Sequence, residues 1–161
     1  MKMKIRDSLI YLMILIGTFS LSAPFTAAQA SSADLDKSIS DNVGDTAKFK
    51  AFFANLKQAV EKHDAAAVAA VVSYPITVNQ RTKAAVTVRT PQSFIARYDQ
   101  IVTPHIANVI QKQKYEDLFV NYQGAMLGSG EIWIAGICKD KACKQSDIRI
   151  RTIQNTAGNS K

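Results

Sequence analysis

The segment Leu118–Cys138, LFVNYQGAMLGSGEIWIAGIC, carries the reading of the fold. It runs without proline, is rich in β-branched and aromatic residues, and is interrupted by small residues at Gly128-Ser129-Gly130. That is the pattern of two strands around a turn. With the next segment it gives three strand-like runs: Leu118 to Leu127, Gly130 to Cys138 and Cys143 to Ile153. Gly128-Ser129 reads as a two-residue hairpin loop, glycine supplying the positive φ. In that register Met126 lies opposite Glu131 and Tyr122 opposite Ala135; if Cys138 faces Cys143, Trp133 lies opposite Ile148. Opposed residues share a face. The core face is then predicted to collect Val120, Tyr122, Met126, Trp133, Ile148 and Ile150, with Glu131 on it, while Phe119, Ile132, Ile134, Arg149 and Arg151 take the other. A slip of one residue would exchange the two faces.

Upstream of these strands the apolar period changes from two to between three and four. Phe49, Phe52, Phe53, Leu56 and Val60 form one stripe behind Asp45, which predicts a capped amphipathic helix. Asp64 restarts the chain into a short Ala/Val helix through Val72, and Tyr74-Pro75 ends it, because proline disfavours helical geometry in the residue before it. Ile76 to Asn79 and Val86 to Arg89 alternate like two strands around a polar Arg81-Thr82-Lys83 turn. Thr90-Pro91 and Thr103-Pro104 are two helix starts of the same kind, threonine as cap and proline at the first helical position. The order of elements predicts an α+β domain, three to four helices packed on one face of a mostly antiparallel sheet.

The N-terminus reads as an export signal. Lys2, Lys4 and Arg6 precede an apolar core from Leu9 to Phe19, and Ala28-Gln29-Ala30 offers small residues for cleavage, the three parts of a signal peptide. The apolar core is shorter than the ~20 residues of a membrane span. We therefore expect residues 1–30 to be a signal peptide and 31–45 a flexible polar leader. A single domain over 46–155 and a disordered tail over 156–161 complete the expected layout. Removing three positive charges and the one negative charge of Asp7 takes the net charge from +7 to +5. Cys138 and Cys143 are the only cysteines. An even pair at short spacing in an exported chain reads as a disulfide, which places the protein in the periplasm or outside the cell. Export and the lack of a recognition motif argue against nucleic acid, and no stable membrane anchor is expected.

Three segments together resemble the nuclear transport factor 2-like superfamily, in particular its exported, uncharacterised bacterial members. They are Phe49 to Pro75, the Phe94…Tyr98-Asp99 helix, and Leu118 to Trp133 with its Asn121-Tyr122-Gln123-Gly124 and Gly128-Ser129-Gly130-Glu131. The resemblance covers about residues 46 to 155 and implies a cone, a strongly curved sheet wrapping helices with a cavity at the wide end. It carries fold further than function, since one such fold hosts many activities.

No catalytic motif of the superfamily's isomerases matches residue by residue, so no catalytic residue, cofactor or metal is assigned. Glu131, on the expected core face beside Trp133, is either a general base or ligand contact, or a turn residue that reaches water; the second reading is the simpler. Asp99 reads as a surface residue, His63 as a helix C-terminal group where positive charge is favoured, and His105 as exposed. Tyr74, Tyr98, Tyr122, Glu131 and Trp133 are the candidate ligand-binding residues. The expectation is a non-enzymatic binding module that takes a small apolar ligand or a protein partner in the cone or on the outer sheet face. A homodimer through that face is a further possibility. The alternatives are a cavity enzyme of isomerase or dehydratase type and an inhibitor or immunity-type protein.

Overall fold

A computed structural model describes residues 32–156 apart from 81 and 144. The expected signal peptide and the tail beyond residue 156 lie outside the described residues. Six helices and six strands follow one another in the order α1 (Ser32–Asn42), α2 (Thr46–Glu61), α3 (Ala65–Ala70), β1 (Ile76–Val78), β2 (Val86–Val88), α4 (Pro91–Ile95), α5 (Tyr98–Ile101), α6 (Pro104–Lys112), β3 (Phe119–Asn121), β4 (Gly124–Leu127), β5 (Ile132–Cys138) and β6 (Ser146–Ile153). The α+β class and the antiparallel sheets agree with the sequence reading, and the sheets are open rather than closed or strongly curled.

The caps read from the sequence form as expected. Asp45 accepts the Lys48 amide at 2.8 Å and Asp64 the Ala67 amide at 2.9 Å. Thr90 accepts the Ser93 amide at 3.2 Å and Thr103 the Ile106 amide at 3.4 Å. In α2 the stripe Phe49, Phe53, Leu56 and Val60 is buried, and the Phe49 and Phe53 rings lie parallel with centroids 6.3 Å apart. Full burial of such side chains stabilises by roughly 1.5–3 kcal/mol each.

Of the polar stretch read as a flexible leader over 31–45, residues Ser32–Asn42 form helix α1. Leu35, Ile39 and Val43, four residues apart, are all buried. The helix is also tied down by polar contacts: Asp36 accepts from Lys50 Nζ at 2.8 Å and from Tyr115 Oη at 2.6 Å, and the Asp36 carbonyl accepts from Thr46 Oγ1 at 2.9 Å. Average polarity hid a three-residue apolar stripe whose partners lie far along the chain. With α1 added, and the 90–102 segment divided into α4 and α5, the helices exceed the three to four expected.

The main sheet has the order β3-β4-β5-β6, all antiparallel, and β1 and β2 form a separate hairpin. Three turns differ from the paper register. Residues 118 to 127 are not one strand but the hairpin β3–β4, turning at Tyr122-Gln123 with Asn121 opposite Gly124. Gly124 has φ +123°, and a Cβ there would lie 2.1 Å from the Ile134 carbonyl oxygen, so glycine is required on both counts. The β4–β5 loop holds residues 128–131, because Leu127 faces Ile132 rather than Gly130. In β5–β6, Cys138 faces Ser146 rather than Cys143, and a bulge interrupts the ladder between Trp133 and Ile134.

An odd step inverts a strand's faces: the two-residue slip between β4 and β5 keeps their parity, but the inserted β3–β4 turn inverts both strands relative to β3, and β5 slips by three residues against β6. Ile132 and Ile134 are core, in rows Val120–Ala125–Ile134–Ile150 and Leu127–Ile132–Ile153. Trp133 and Met126, expected inside, face outward, and Tyr122, expected beside them, stands at a turn tip with 84 % exposure. The expected inward placement of Val120 and Ile150 holds. The helices cover the inner face: α1 packs on β3 and β4, and the Val43 carbonyl crosses so close to Gly136 that a Cβ there would lie 2.2 Å from it.

Candidate binding site

With the helices on the inner face, the outer face of the sheet is open, and the register sets one row across it: Phe119, Met126, Trp133 and Thr152 are successive cross-strand partners. Phe119 is 52 % exposed and Met126, Trp133 and Thr152 are half-buried. Around Trp133 lies a groove of about 450 Å³ lined also by Gln80, Gln123, Ser129, Gly130, Arg151 and Gln154. That volume falls within the ~300–1,000 Å³ of small-molecule sites.

Each wall of the groove comes from a different turn or strand end: Gln80 follows β1, Gln123 the β3–β4 turn, Ser129 and Gly130 the β4–β5 loop, and Arg151 and Gln154 the end of β6. Two polar side chains among the described residues are buried, Asn79 and Glu131, and both brace these walls. The Asn79 amide nitrogen donates to Asn155 Oδ1 at 2.6 Å, the Asn155 backbone N–H donates to Asn79 Oδ1 at 2.8 Å, and the Asn79 N–H donates to the Ile153 carbonyl at 3.0 Å. This clasp fixes Gln80 and Gln154 side by side at one end. Glu131 accepts the Ser129 N–H on Oε2 at 2.5 Å and lies 3.2 Å from His105 Nε2 through Oε1, while its carbonyl accepts the Gln154 N–H at 2.7 Å. Glu131 is therefore not a turn residue that reaches water: it is buried, and its carboxylate ties the β4–β5 loop to His105 on α6. It holds the loop that forms the groove's rim.

Inside the groove the polar groups are uncommitted. Among the described residues no side-chain hydrogen bond engages Gln80, Gln123, Gln154 or the Trp133 indole N–H, and no carboxylate lies within ion-pair distance of Arg151.

A larger cleft of about 830 Å³ lies between α2, α3 and the β5–β6 hairpin, with Phe52 and Ile148 among its lining residues. Three of its charged side chains pair with one another, while the Lys48 ammonium makes no ion pair among the described residues. Asp147 accepts from Lys139 at 2.9 Å and Arg149 at 3.1 Å, and these partners, Lys139 first, hold its carboxyl below the ordinary value. Arg149 also donates to the Ala70 carbonyl. Cys138 and Cys143 are bonded, as expected, with Cα atoms 4.8 Å apart, and close the loop beside this cleft. Cys143 lies within the loop, at φ +51°, rather than opposite Cys138 in the ladder.

The five candidate residues are not brought together. Trp133 lines the outer groove, and Tyr122 stands next to its Gln123 wall. Tyr74 and Tyr98 lie in the helical layer, each edge-on to Phe94 at 6.4 Å. Tyr74 donates to the Ala69 carbonyl at 3.0 Å, and burial pushes its hydroxyl up to about 12. The Tyr98 hydroxyl has no partner among the described residues, and burial, then Asp99 and Asp64, raises its pKa. Asp99 is exposed and pairs with His63 at 3.0 Å. Among the described residues no three His, Cys, Asp or Glu side chains cluster as metal ligands, and no helix is long and apolar enough to cross a membrane.

The groove's glutamines, Arg151 and the clasp went unread in the sequence. The mirrored dipeptides Asn79-Gln80 and Gln154-Asn155, each at the end of a strand, are the signal that marks them. No protein-family model matches the chain, and neither the curated proteins nor the solved structures give a significant match.

Proposed function

We propose that this protein is an exported, non-enzymatic binding module that takes its ligand or partner on the outer face of the four-stranded sheet, in the groove around Trp133. One observation carries the reading: a half-buried tryptophan is ringed by three glutamines and an arginine whose side chains make no hydrogen bond or ion pair among the described residues. Exposed polar groups that the fold does not use are free to be used by something else, and a shaped groove with a few convergent polar groups is the usual form of a binding site. The small apolar ligand expected from the sequence suits this lining poorly, because it would leave four polar side chains desolvated and unpaired. Location outside the cytoplasm is supported by the Cys138–Cys143 bridge, since disulfides persist in oxidising compartments. A nuclear transport factor 2-like cone belongs to the same proposal. Its wide end would be the cleft at Phe52 and Ile148, its outer sheet face the surface described above.

A cavity enzyme would be favoured by Glu131 or Asp99 held in a deep cavity and hydrogen-bonded to a tyrosine. Glu131 bonds instead to Ser129 and His105, and Asp99 to His63.

The test is photo-crosslinking in the native host, with a benzophenone amino acid at position 126 in the outer groove or at position 148 in the second cleft. The expected result is an adduct from position 126 that disappears when Trp133→Ala is added. Adducts from position 148 alone, or equally from both, would refute the proposed face.

A further inference from the structure

Resting on that assignment of the face, we infer that the groove's ligand is an acidic saccharide. Four features of the lining select this chemistry. The indole of Trp133, half-buried and flanked by Met126, offers a flat apolar platform, and a pyranose ring has an apolar C–H face to lay on it. The amides of Gln80, Gln123 and Gln154 each present donors and an acceptor, which matches hydroxyls that both donate and accept. Among the described residues Arg151 brings the one cation of the lining, and no carboxylate lines the groove. A free guanidinium is shaped to take a carboxylate in a two-pronged hydrogen bond.

Other ligand classes fit less well. A phosphate backbone is held by several cations, and among the described residues one guanidinium lines this site. An added peptide strand needs a sheet edge, whereas Trp133 sits on β5 between β4 and β6, and β6 is itself flanked by the chain at Val72 and Ser73. A basic partner would find no acidic group to meet. A saccharide bearing a uronic or comparable carboxyl group uses every uncommitted atom: ring face on Trp133, hydroxyls on the glutamines, carboxylate on Arg151.

The protein carries its own reporter, because Trp133 is its single tryptophan. The experiment titrates the full chain with trigalacturonic acid and with the neutral maltotriose, following Trp133 fluorescence and backbone amide shifts. The acidic trisaccharide is expected to bind at least about tenfold more tightly than the neutral one, the scale of a charge-assisted hydrogen bond. Arg151→Gln should remove that advantage, bringing the acidic trisaccharide down to the affinity of the neutral one; Trp133→Ala should weaken both. Gln123→Ala, at an exposed turn, gives a second weakened variant should Trp133→Ala fold poorly. Equal affinity for the two sugars, or full acidic affinity in Arg151→Gln, overturns the role of the carboxylate. Binding of neither, in a protein that still crosslinks through position 126, overturns the saccharide class and leaves the face standing. Amide shifts at residues 48, 139 and 149 in place of 126, 133 and 152 overturn the face itself.

Discussion

In the cleft beneath α2 and α3, Asp147 lies between Lys139 and Arg149, and Arg149 also caps the Ala70 carbonyl. In the groove around Trp133, Arg151 meets no carboxylate and three glutamine side chains meet no partner among the described residues. The two hollows are edged by the same strand, β6, and two of its arginines, two residues apart, meet opposite fates. What separates them is the fold's use of each face. On the cleft side Asp147 pairs Lys139 and Arg149 within the β5–β6 hairpin, and Arg149 ties that hairpin to the helical layer through the Ala70 carbonyl. On the outer side no described element packs against the groove's polar side chains. The larger hollow is thus a seam between sheet and helices, and the smaller one a face that the described elements leave open.

The sharpest way to break this comparison is to truncate neighbouring residues of β5. Ile134→Ala should cost about 2–5 kcal/mol as a core truncation, whereas Trp133→Ala, on the open face, should cost about 1 kcal/mol. Denaturant melts of the two variants decide it, and a larger loss for Trp133→Ala would mean that the faces are reversed. Reduction of the Cys138–Cys143 bridge acts on the cleft side. Loop-closure entropy for so short a ring predicts a loss of about 2 kcal/mol. Thermal melts with and without reductant measure it, and the emission maximum of folded Trp133 should not move. Asn79→Ala acts on the groove side. It leaves the Asn155 amide groups without their partner and should cost about 1–2 kcal/mol. It should also weaken ligand binding through Gln80 and Gln154, a loss that Asn79→Asp, which keeps the acceptor oxygen, should partly restore. The smallest effect belongs to Asp147. Its partners lower the folded pKa below 3.8, so its contribution is complete above the unfolded value and fades as pH falls through the folded one. Wild type and Asp147→Asn should differ slightly in melting temperature at pH 7 and converge as the pH falls below the ordinary carboxylate range; a gap that widens on acidification would contradict the pairing.

Local signals in the sequence were read correctly where the physics is local. Asp45, Asp64, Thr90 and Thr103 cap helices because a side chain three residues away satisfies a free N–H, and no distant contact can overrule that cheaply. The Phe49–Val60 stripe and the Cys138–Cys143 pair are local in the same sense. Helix α1 was hidden because its stability comes from Lys50 and Tyr115, fourteen and seventy-nine residues from Asp36. The face of β5 was misread because parity propagates. The extra turn at Tyr122-Gln123 and the longer loop after Cys138 each moved the register by an odd step, which composition does not reveal. Trp133 was recognised as a candidate binding residue, but for the wrong side of the sheet. Arg151 was seen on an outward face, and what the sequence could not show was that nothing neutralises it.

The Asn79–Asn155 clasp joins residues seventy-six positions apart, and β6 is hydrogen-bonded both to β5 and to the segment around Val72. The walls that carry Gln80 and Gln154 are therefore brought together only by contacts between distant parts of the chain. Long-range closure of this kind is slow because the loop entropy must be spent before the contacts return it. The groove is thus expected to form late in folding, after the locally capped helices and the β3–β4 turn.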